Sequence, residues 1–270
     1  MAEEPGWAPP GVDTRRANPA RVYDYLLGGT HNFLADQDVG RAIIAVEPNA
    51  RAGGLANRAF LGRAVRFLAR AGISQFLDIG SGIPTQGNVH EVAQRADPGA
   101  RVAYVDVDPV AVAHSRAILD GQPSAAVIDA DLREPERILA HPDVRRLIDP
   151  GQPAGLLLVA VLHFIADAED PWRIVAALRD ALAPGSYLVL CHATDESRPA
   201  VARAAGKVYN RTVTTDLHLR SRAEILRFFD GFDLVDPGLA WVSQWRPDAA
   251  DDGPGDPARL WGLAGVGRKP

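Results

Sequence analysis

The sequence contains little cysteine and little lysine. Cys191 is the single cysteine, and Lys207 and Lys269 are the two lysines. One cysteine excludes an intrachain disulfide and a cysteine-ligated metal cluster and favours a reducing compartment, so we expect a cytoplasmic protein. Because the formal net charge is -5, we do not expect a large basic surface for nucleic acid, and any phosphate contact falls to arginine.

Long apolar runs are also missing. The longest, Gly155 to Ile165, is shorter than the ~20 residues of a membrane-spanning helix and contains His163. The segment Met1 to Pro10 is acidic and proline-rich, unlike the basic start and apolar centre of a secretory signal. A hydrophobic content of 47% is sufficient for one large core. We therefore expect a soluble globular protein with no membrane partner.

Short apolar runs alternate with helical patterns in the middle of the chain. Helices are predicted from Pro109 to Leu119 and from Pro171 to Ala183. Such alternation indicates βαβ units, and it predicts an α/β fold with a doubly wound, mostly parallel sheet. The predicted strands are Gln75 to Ile79, Arg101 to Asp106, Ala125 to Ile128, Leu156 to Leu162 and Tyr187 to Cys191.

Helical patterns precede this sheet. Asn18 and Pro19 begin a predicted helix that ends at Leu27, and a second predicted helix runs from Asn57 to Arg70. No internal repeat is present, so we expect one domain over residues 1–270. Its parts are a flexible segment (1–18), an N-terminal helical cap (19–70), a cofactor-binding core (71–195) and a C-terminal helix with antiparallel strands (196–270).

The C-terminal part has a different pattern. Ser221 and Glu224 form a capping box that opens a helix ending at Phe229. Two strand-like segments follow, Leu239 to Trp245 and Leu260 to Val266. The acidic, proline-containing segment between them, Pro247 to Asp256, is typical of a hairpin connection.

The most informative segment is the strand from Phe76 to Ile79, which runs into the turn Gly80-Ser81-Gly82. Glycines at such a turn let the backbone approach a ligand, and a helix N-terminus after it offers free N–H groups to a carboxylate or phosphate. The turn therefore favours a nucleotide-like ligand. The alternative is an ordinary strand-to-helix turn that Asp78 caps.

Asp78 decides between nucleotide ligands. A carboxylate at this strand end would repel a pyrophosphate, and Thr85 stands where the dinucleotide-binding pattern has its third glycine. The same carboxylate would attract the ammonium and sulfonium groups of S-adenosylmethionine. A nicotinamide-dependent oxidoreductase is therefore disfavoured.

Acids also follow the second and third strands. Asp106, next to Val107, is placed to accept both ribose hydroxyls, whereas Asp108 before Pro109 suits a helix cap. The alternative is that Asp106 is itself only a cap. After the third strand, Asp131 is preferred over Asp129 for the adenine amino group, with the Leu132 N–H facing a ring nitrogen. Ala160 completes the predicted cofactor-binding set.

These three motifs resemble the class I S-adenosylmethionine-dependent methyltransferases. The resemblance implies a Rossmann-like sheet of seven strands with the last strand antiparallel, and it implies S-adenosylmethionine as cofactor. Pro84 stands where many class I enzymes have a third glycine. The chain from Arg15 onward is also similar to a bacterial family of S-adenosyl methyltransferases formerly labelled a domain of unknown function. The segments that carry this similarity are Arg21 to Phe33, Asn57 to Phe60, Tyr104 to Pro109, Val161 to Ile165 and Trp245 to Pro247.

In class I architecture the methyl acceptor lies above the ends of the fourth and fifth strands, so the first candidates are His163, Phe164, His192 and Asp195. His163 is the candidate catalytic residue, as a general base or by orienting the acceptor. Its alternative is a packed, hydrogen-bonded histidine. Methyl transfer by direct displacement depends mainly on in-line positioning, and it often needs no strong base.

Residues near the N-terminus are candidates for substrate contact or a lid. Tyr23, Tyr25, His31 and Asn32 surround the predicted helix end, and the loop after it is able to cover a pocket mouth. Alternatively, the tyrosines pack the helix and Asn32 makes a turn. Arg58 is a candidate for contacting a carboxylate or phosphate of the acceptor, or else it is ion-paired.

The sequence leaves two functions open. The first is methyl transfer from S-adenosylmethionine to a small-molecule oxygen or nitrogen nucleophile. The second is a non-catalytic protein that binds or senses S-adenosylmethionine or S-adenosylhomocysteine. We expect no metal, because the histidines are scattered without a ligand spacing. A homodimer is left open.

Overall fold

The fold is built on an eight-stranded sheet. The computed structural model describes residues 7–84, 87–213, 215–248 and 256–270. The strands are Gln75–Ile79 (β1), Arg101–Asp106 (β2), Ala125–Asp129 (β3), Gly155–Val159 (β4), Tyr187–Ala193 (β5), Asp233–Leu234 (β6), Ala240–Trp241 (β7) and Gly262–Arg268 (β8).

Strand order confirms the predicted fold class. The order is β3-β2-β1-β4-β5-β8-β6, and β7 pairs with β8 off this path. Strands β1 to β5 pair in parallel, whereas β8, the last strand, is antiparallel to β5. The order reverses between β1 and β4, so their carboxyl ends lie side by side at the position where open α/β sheets bind ligands.

Ten α-helices are present in the described residues. They are Pro19–Leu26 (α1), Leu34–Val46 (α2), Ala50–Arg70 (α3), Val89–Ala96 (α4), Pro109–Ile118 (α5), Pro135–Ala140 (α6), Pro142–Leu147 (α7), Pro171–Asp180 (α8), Pro199–Thr212 (α9) and Arg222–Leu226 (α10). Short 3-10 helices lie at Leu162–Phe164, Asp167–Glu169, Arg227–Phe229 and Pro257–Leu260. Within the described part of the chain, no helix combines the length and apolarity needed to cross a membrane.

The sheet carries a hydrophobic core on each face. Successive residues of a strand point to opposite faces, so Phe76 packs in one core and Leu77 in the other. The first core includes Phe60 and Leu68 of α3, and the second includes Ile174 of α8. Burial on both faces explains why β1 and β4 are continuous apolar runs apart from Gln75 and Asp78.

The N-terminal helices pack beside the sheet and against α9. Val22, Ile43 and Tyr209 are buried in one cluster there. Arg21 of α1 is 4% exposed and lies between two buried carboxylates, with its Nε 3.7 Å from Asp36 and 3.8 Å from Asp108. Because Asp108 caps α5, this contact links α1 and α2 to the end of β2.

Several predicted boundaries were correct. The ends of β1 and β2 agree with the prediction, Asn18 caps α1 as expected, and the Ser221–Glu224 capping box opens α10. The predicted helix Asn57 to Arg70 was too short, since α3 begins at Ala50.

Other predictions were wrong. The predicted strand Leu156 to Leu162 ends at Val159, because Ala160 takes a left-handed φ of 59° and a 3-10 helix begins at Leu162. In the predicted strand Leu239 to Trp245 only Ala240–Trp241 pairs, and the last predicted strand is shifted to Gly262–Arg268. Most of the predicted hairpin connection lies outside the described residues.

Candidate active site

The glycine turn after β1 is held against β2 and β4. The N–H groups of Gly80 and Ser81 donate to the Val105 carbonyl at 2.8 and 3.2 Å. Gly80 has a φ of 75°, and a Cβ there would stand 2.3 Å from Val161, so only glycine fits. Gly82, with a φ of 68°, has open space where its Cβ would lie. The predicted helix does not follow directly, since α4 begins at Val89.

Asp106 ties this turn to the end of β2. Its Oδ2 accepts from the Gly82 N–H at 2.7 Å, and its Oδ1 accepts from the Asp108 N–H at 2.8 Å. Burial raises the pKa of Asp106 to about 6, although these backbone hydrogen bonds act in the opposite direction. The carboxylate thus lies beside the open face of Gly82.

Asp78 is a second buried carboxylate, at the end of the neighbouring strand. Burial raises its pKa to about 7; the Arg58 guanidinium lowers that pKa, and the charge of Asp106 raises it. Arg58, on α3, donates to the Gly87 carbonyl at 3.3 Å. The cation and the carboxylate therefore interact at one side of the glycine turn.

Asp131 and Leu132 follow β3, and Asp131 has a partner that sequence analysis missed. Arg133 Nη1 lies 3.2 Å from both oxygens of Asp131, and the Arg133 N–H donates to Oδ1 at 2.9 Å. The same arginine also pairs with Glu169. This pairing fixes the orientation of the Asp131 side chain, which remains 31% exposed.

A single cavity of about 310 Å³ joins these groups. Ala160, whose N–H donates to the Cys191 carbonyl at 2.9 Å, closes it at the end of β4. A left-handed conformation at a residue other than glycine is costly and is often found at functional sites. Of the residues predicted from sequence, the cavity lining includes Asp78, Gly80, Ser81, Gly82, Asp106, Val107, Asp131, Leu132, Ala160, His163, Tyr23 and Arg58.

The cavity also extends beyond the strand ends, between helices that sequence analysis connected with the site only through Tyr23 and Arg58. Its lining there includes Val22, Ile43, Asn57, Leu61, Leu217 and Leu260. Asn57 lies in a segment quoted for the family resemblance, which was the available signal for it. The apolar lining residues show the same sequence periodicity as any buried helix face. The sequence therefore does not distinguish residues that line the cavity from residues of the hydrophobic core.

His163 lines the cavity and is 8% exposed. Its Nδ1 has no hydrogen-bond partner, whereas its carbonyl accepts from the His218 N–H at 2.8 Å. Burial, together with the charges of Arg220 and His218, lowers the pKa of His163 to about 3. The imidazole is therefore neutral at physiological pH, and it is better suited to orienting a ligand than to removing a proton.

His192 lies outside the cavity lining and is fully buried. Arg220 Nη1 lies 2.8 Å from its Nε2, and its Nδ1 lies 2.7 Å from the Ala193 carbonyl. Since arginine only donates, His192 Nε2 accepts and Nδ1 carries the proton. Burial lowers the pKa of His192, so this imidazole is also neutral.

Three of the residues predicted as substrate contacts or lid lie away from the cavity lining. Tyr25 packs against the position of Gly40, and the rings of His31 and His114 are 3.7 Å apart between centroids. Asn32 Nδ2 donates to Asp24 at 2.7 Å. These are packing and turn contacts, and a lid role for the three residues stays a prediction.

No metal site is found among the described residues, in which no group of three potential ligands comes together.

This sheet order, the glycine turn after β1 and acids after β1, β2 and β3 define the class I methyltransferases. Residues 5–270 match the family described as S-adenosyl methyltransferase, and the chain belongs to that family. The protein is therefore an S-adenosylmethionine-dependent methyltransferase, and the family and cofactor expected from the sequence are confirmed. Membership also favours the enzyme over the non-catalytic sensor.

Two solved structures are similar over nearly the whole chain. A candidate methyltransferase from Thermobifida fusca YX is 46% identical, with a TM-score of 0.92 over 98% of this chain and 99% of that one. A DUF574 family protein from Streptomyces avermitilis is 39% identical, with a TM-score of 0.92 over 96% of this chain and 99% of that one.

More distant structures share the fold alone. An O-methyltransferase family protein from Burkholderia thailandensis is 14% identical, with a TM-score of 0.52 over 81% of this chain and 60% of that one. No curated protein sequence matches the chain.

Proposed function

We propose that the enzyme methylates an oxygen or nitrogen atom of a small molecule that binds in the part of the cavity between α1, α2 and α3. The observation that carries this proposal is the continuity of one cavity from the acidic strand ends to these helices. A cofactor on the strand ends would leave the helical part for an acceptor. Enclosed pockets with mostly apolar walls are typical of small-molecule sites.

The strand ends fit S-adenosylmethionine. Asp78 is buried beside open space and suits the cofactor ammonium, and the neighbouring Arg58 suits its carboxylate. Asp106 next to Val107 suits the ribose hydroxyls, and Asp131 with Leu132 suits the adenine. The remaining backbone contacts are assigned to Gly80, Ser81, Gly82 and Ala160.

When bound, the cofactor would supply a methyl group on a sulfonium, and an acceptor lone pair would form the new bond to that carbon as the carbon–sulfur bond breaks. The electron pair of that bond goes to sulfur, and the acceptor proton leaves to water. The protein holds the acceptor in line and excludes bulk water from the cavity. His163, which is neutral and lines the cavity, would orient the acceptor through a hydrogen bond.

Calorimetric titration with S-adenosylhomocysteine tests the cofactor assignment. We expect micromolar-range binding to the native chain and at least tenfold weaker binding to Asp106→Ala, because the variant loses the ribose-facing carboxylate. Glu136→Ala, which removes an exposed acid of α6 outside the cavity lining, is the matched control. Equal binding to the native chain and Asp106→Ala would contradict the assignment, and thermal unfolding shows whether each variant is folded.

A second experiment tests the class of acceptor. The enzyme is incubated with methyl-labelled S-adenosylmethionine and separate fractions of a bacterial extract: low-molecular-weight compounds, protein and nucleic acid. We expect label in the low-molecular-weight fraction. Label found only in protein or nucleic acid would contradict the proposal, whatever the result of the titration.

A further inference from the structure

The orientation of the Asn57 side chain is fixed by its neighbours. Its Nδ2 donates to Tyr23 Oη at 2.8 Å, and Tyr23 Oη donates to the Gly54 carbonyl at 3.0 Å. In this orientation Nδ2 is the donor to the tyrosine hydroxyl, and Oδ1 is the amide atom that remains.

Asn57 Oδ1 is left without a hydrogen-bond partner, although the residue is only 8% exposed and lines the cavity. A buried acceptor without a donor costs free energy, so native proteins leave few of them. His163 Nδ1, in the same cavity, also lacks a partner. Two residues of the cavity lining thus each carry a buried polar atom without a partner.

Apart from Arg58, which is proposed to bind the cofactor carboxylate, the described walls around Asn57 are uncharged. Val22, Ile43 and Leu61 are apolar, and burial raises the pKa values of Tyr23 and Cys191 to about 12 each, which keeps both neutral. The charged lining residues among those described are Arg58, beside Asp78, and the residues that follow β1, β2 and β3. A charged acceptor would therefore lose its hydration in the helical part without gaining a counter-ion.

We propose that the methyl acceptor is an uncharged, mainly apolar small molecule that donates an N–H or O–H hydrogen bond to Asn57 Oδ1 and packs its apolar body between α1, α2 and α3. This inference rests on the proposed function, because it assigns the helical part of the cavity to the acceptor. It identifies the acceptor by charge, by polarity and by one donor group.

Four naphthalenes of similar size test the proposal: 2-naphthol, 2-naphthylamine, 2-methoxynaphthalene and 2-naphthoate. Dissociation constants are measured by ligand-observed NMR titration with S-adenosylhomocysteine present. We expect the two donor compounds to bind about tenfold more tightly than the methoxy compound, which has no donor. We expect naphthoate to bind at least tenfold more weakly than naphthol.

Three variants connect the result to Asn57. Asn57→Leu keeps the side-chain size but should reduce the tenfold preference for naphthol over methoxynaphthalene to about onefold. Tyr23→Phe frees the amide to rotate, so the preference should fall part of the way. Leu55→Ala changes an exposed residue of the same helix outside the cavity lining and should leave the preference unchanged. The preference is the ratio of the methoxynaphthalene and naphthol dissociation constants measured on the same variant. A variant that weakens the binding of both compounds equally therefore leaves this ratio unchanged.

Three results would overturn the proposal: naphthoate binding as tightly as naphthol, an unchanged preference in Asn57→Leu, or no naphthalene binding. Each variant is also titrated with S-adenosylhomocysteine. If the cofactor product binds normally while the naphthalenes fail, the inference about the acceptor is wrong and the cofactor assignment stands. If S-adenosylhomocysteine itself fails to bind the native chain, the proposed function fails instead.

Discussion

Asp78 and Asp106 are buried carboxylates at the ends of adjacent strands, and the charge of Asp106 disfavours ionisation of Asp78. In the unliganded protein Asp106 already accepts two backbone hydrogen bonds, whereas Asp78 faces Arg58 without a direct ion pair among the described contacts. A bound ammonium group would relieve the cost of ionising Asp78. The affinity for the cofactor should therefore depend on the protonation of Asp78.

The pH dependence of S-adenosylhomocysteine binding follows from this arrangement. The pKa of Asp78 is about 7, so the carboxylate is mostly ionised at pH 8 and mostly protonated at pH 5. We expect the dissociation constant to rise as the pH falls from 8 to 5, by up to about tenfold per pH unit below 7. Calorimetry across this range measures it.

Asp78→Asn and Glu136→Gln are the matched variants for this experiment. Asp78→Asn should bind weakly at pH 8 and change little down to pH 6, below which protonation of Asp106, with a pKa of about 6, still weakens binding. Glu136→Gln should follow the native curve. A native dissociation constant that stays constant over the whole range would show that Asp78 does not bind the ammonium.

The position of a residue in the fold was easier to predict than its protonation state or its side-chain partners. Asp78 and Asp106 follow apolar runs with clear turn signals, so their location at the strand ends could be inferred. The neutral state of His163 depends on burial and on Arg220 and His218, which lie far away in the sequence. The same applies to Asp131, whose partner Arg133 is also held by Glu169 across 36 positions.

At the scale of elements, Arg220 connects the loop after β4 with β5. It is 2% exposed, and it donates to the carbonyls of Leu162 and Ile165 at 2.9 and 2.7 Å, to His192 at 2.8 Å and to Asp167 at 2.7 Å. His163 lies within that loop, so the position of its imidazole depends on this guanidinium.

We expect Arg220→Lys to reduce the free energy of unfolding by about 3–5 kcal/mol, because one ammonium cannot reach four acceptors and leaves buried ones unsatisfied. Asp167 is 64% exposed, so its ion pair adds little to this loss. Urea denaturation measures the change. Arg227→Lys, at an exposed arginine whose guanidinium lies 4.0 Å from the Trp172 ring, should cost about 1 kcal/mol or less. Similar values for the two variants would contradict the assigned role of Arg220.

Several elements with simple local signals were predicted correctly, but α4, which begins with the capping box Asn88–Glu91, was missed. Elements fixed by distant contacts were also missed. The N-cap residue of α2 is Phe33 and that of α9 is Arg198, and neither residue gives a side-chain capping signal. The segment around Trp245 looks like a strand, but Arg63 of α3 donates to the Val242 and Trp245 carbonyls at 2.8 and 3.0 Å. Those carbonyls are therefore not available to a sheet.

At the scale of the whole molecule, the two cores share one sheet. We predict a single cooperative thermal transition, since neither face of the sheet can unfold without exposing the other. S-adenosylhomocysteine at about 100 times its dissociation constant should add about 2.7 kcal/mol of stability and raise the midpoint by about 5–10 °C. Differential scanning calorimetry tests this. Two transitions, of which the ligand shifts only one, would indicate two domains.

The family could be predicted from the sequence, whereas for the helical part of the cavity only Tyr23 and Arg58 were predicted. The cofactor motifs are consecutive segments, but the helical wall combines α1, α2 and α3 with residues beyond α9. The single-domain organisation, the cytoplasmic location and a homodimer stay predictions. Light scattering of the purified chain measures its oligomeric state.

The packing of α2 against α9 also determines when the cavity can exist during synthesis. The ribosome makes α1, α2 and α3 first, yet the side of α2 that includes Ile43 is covered by Tyr209 of α9. Every strand from β1 to β5 is made between these helices. A nascent chain can therefore assemble the motifs that are proposed to bind the cofactor before it can enclose the space where the acceptor is proposed to bind.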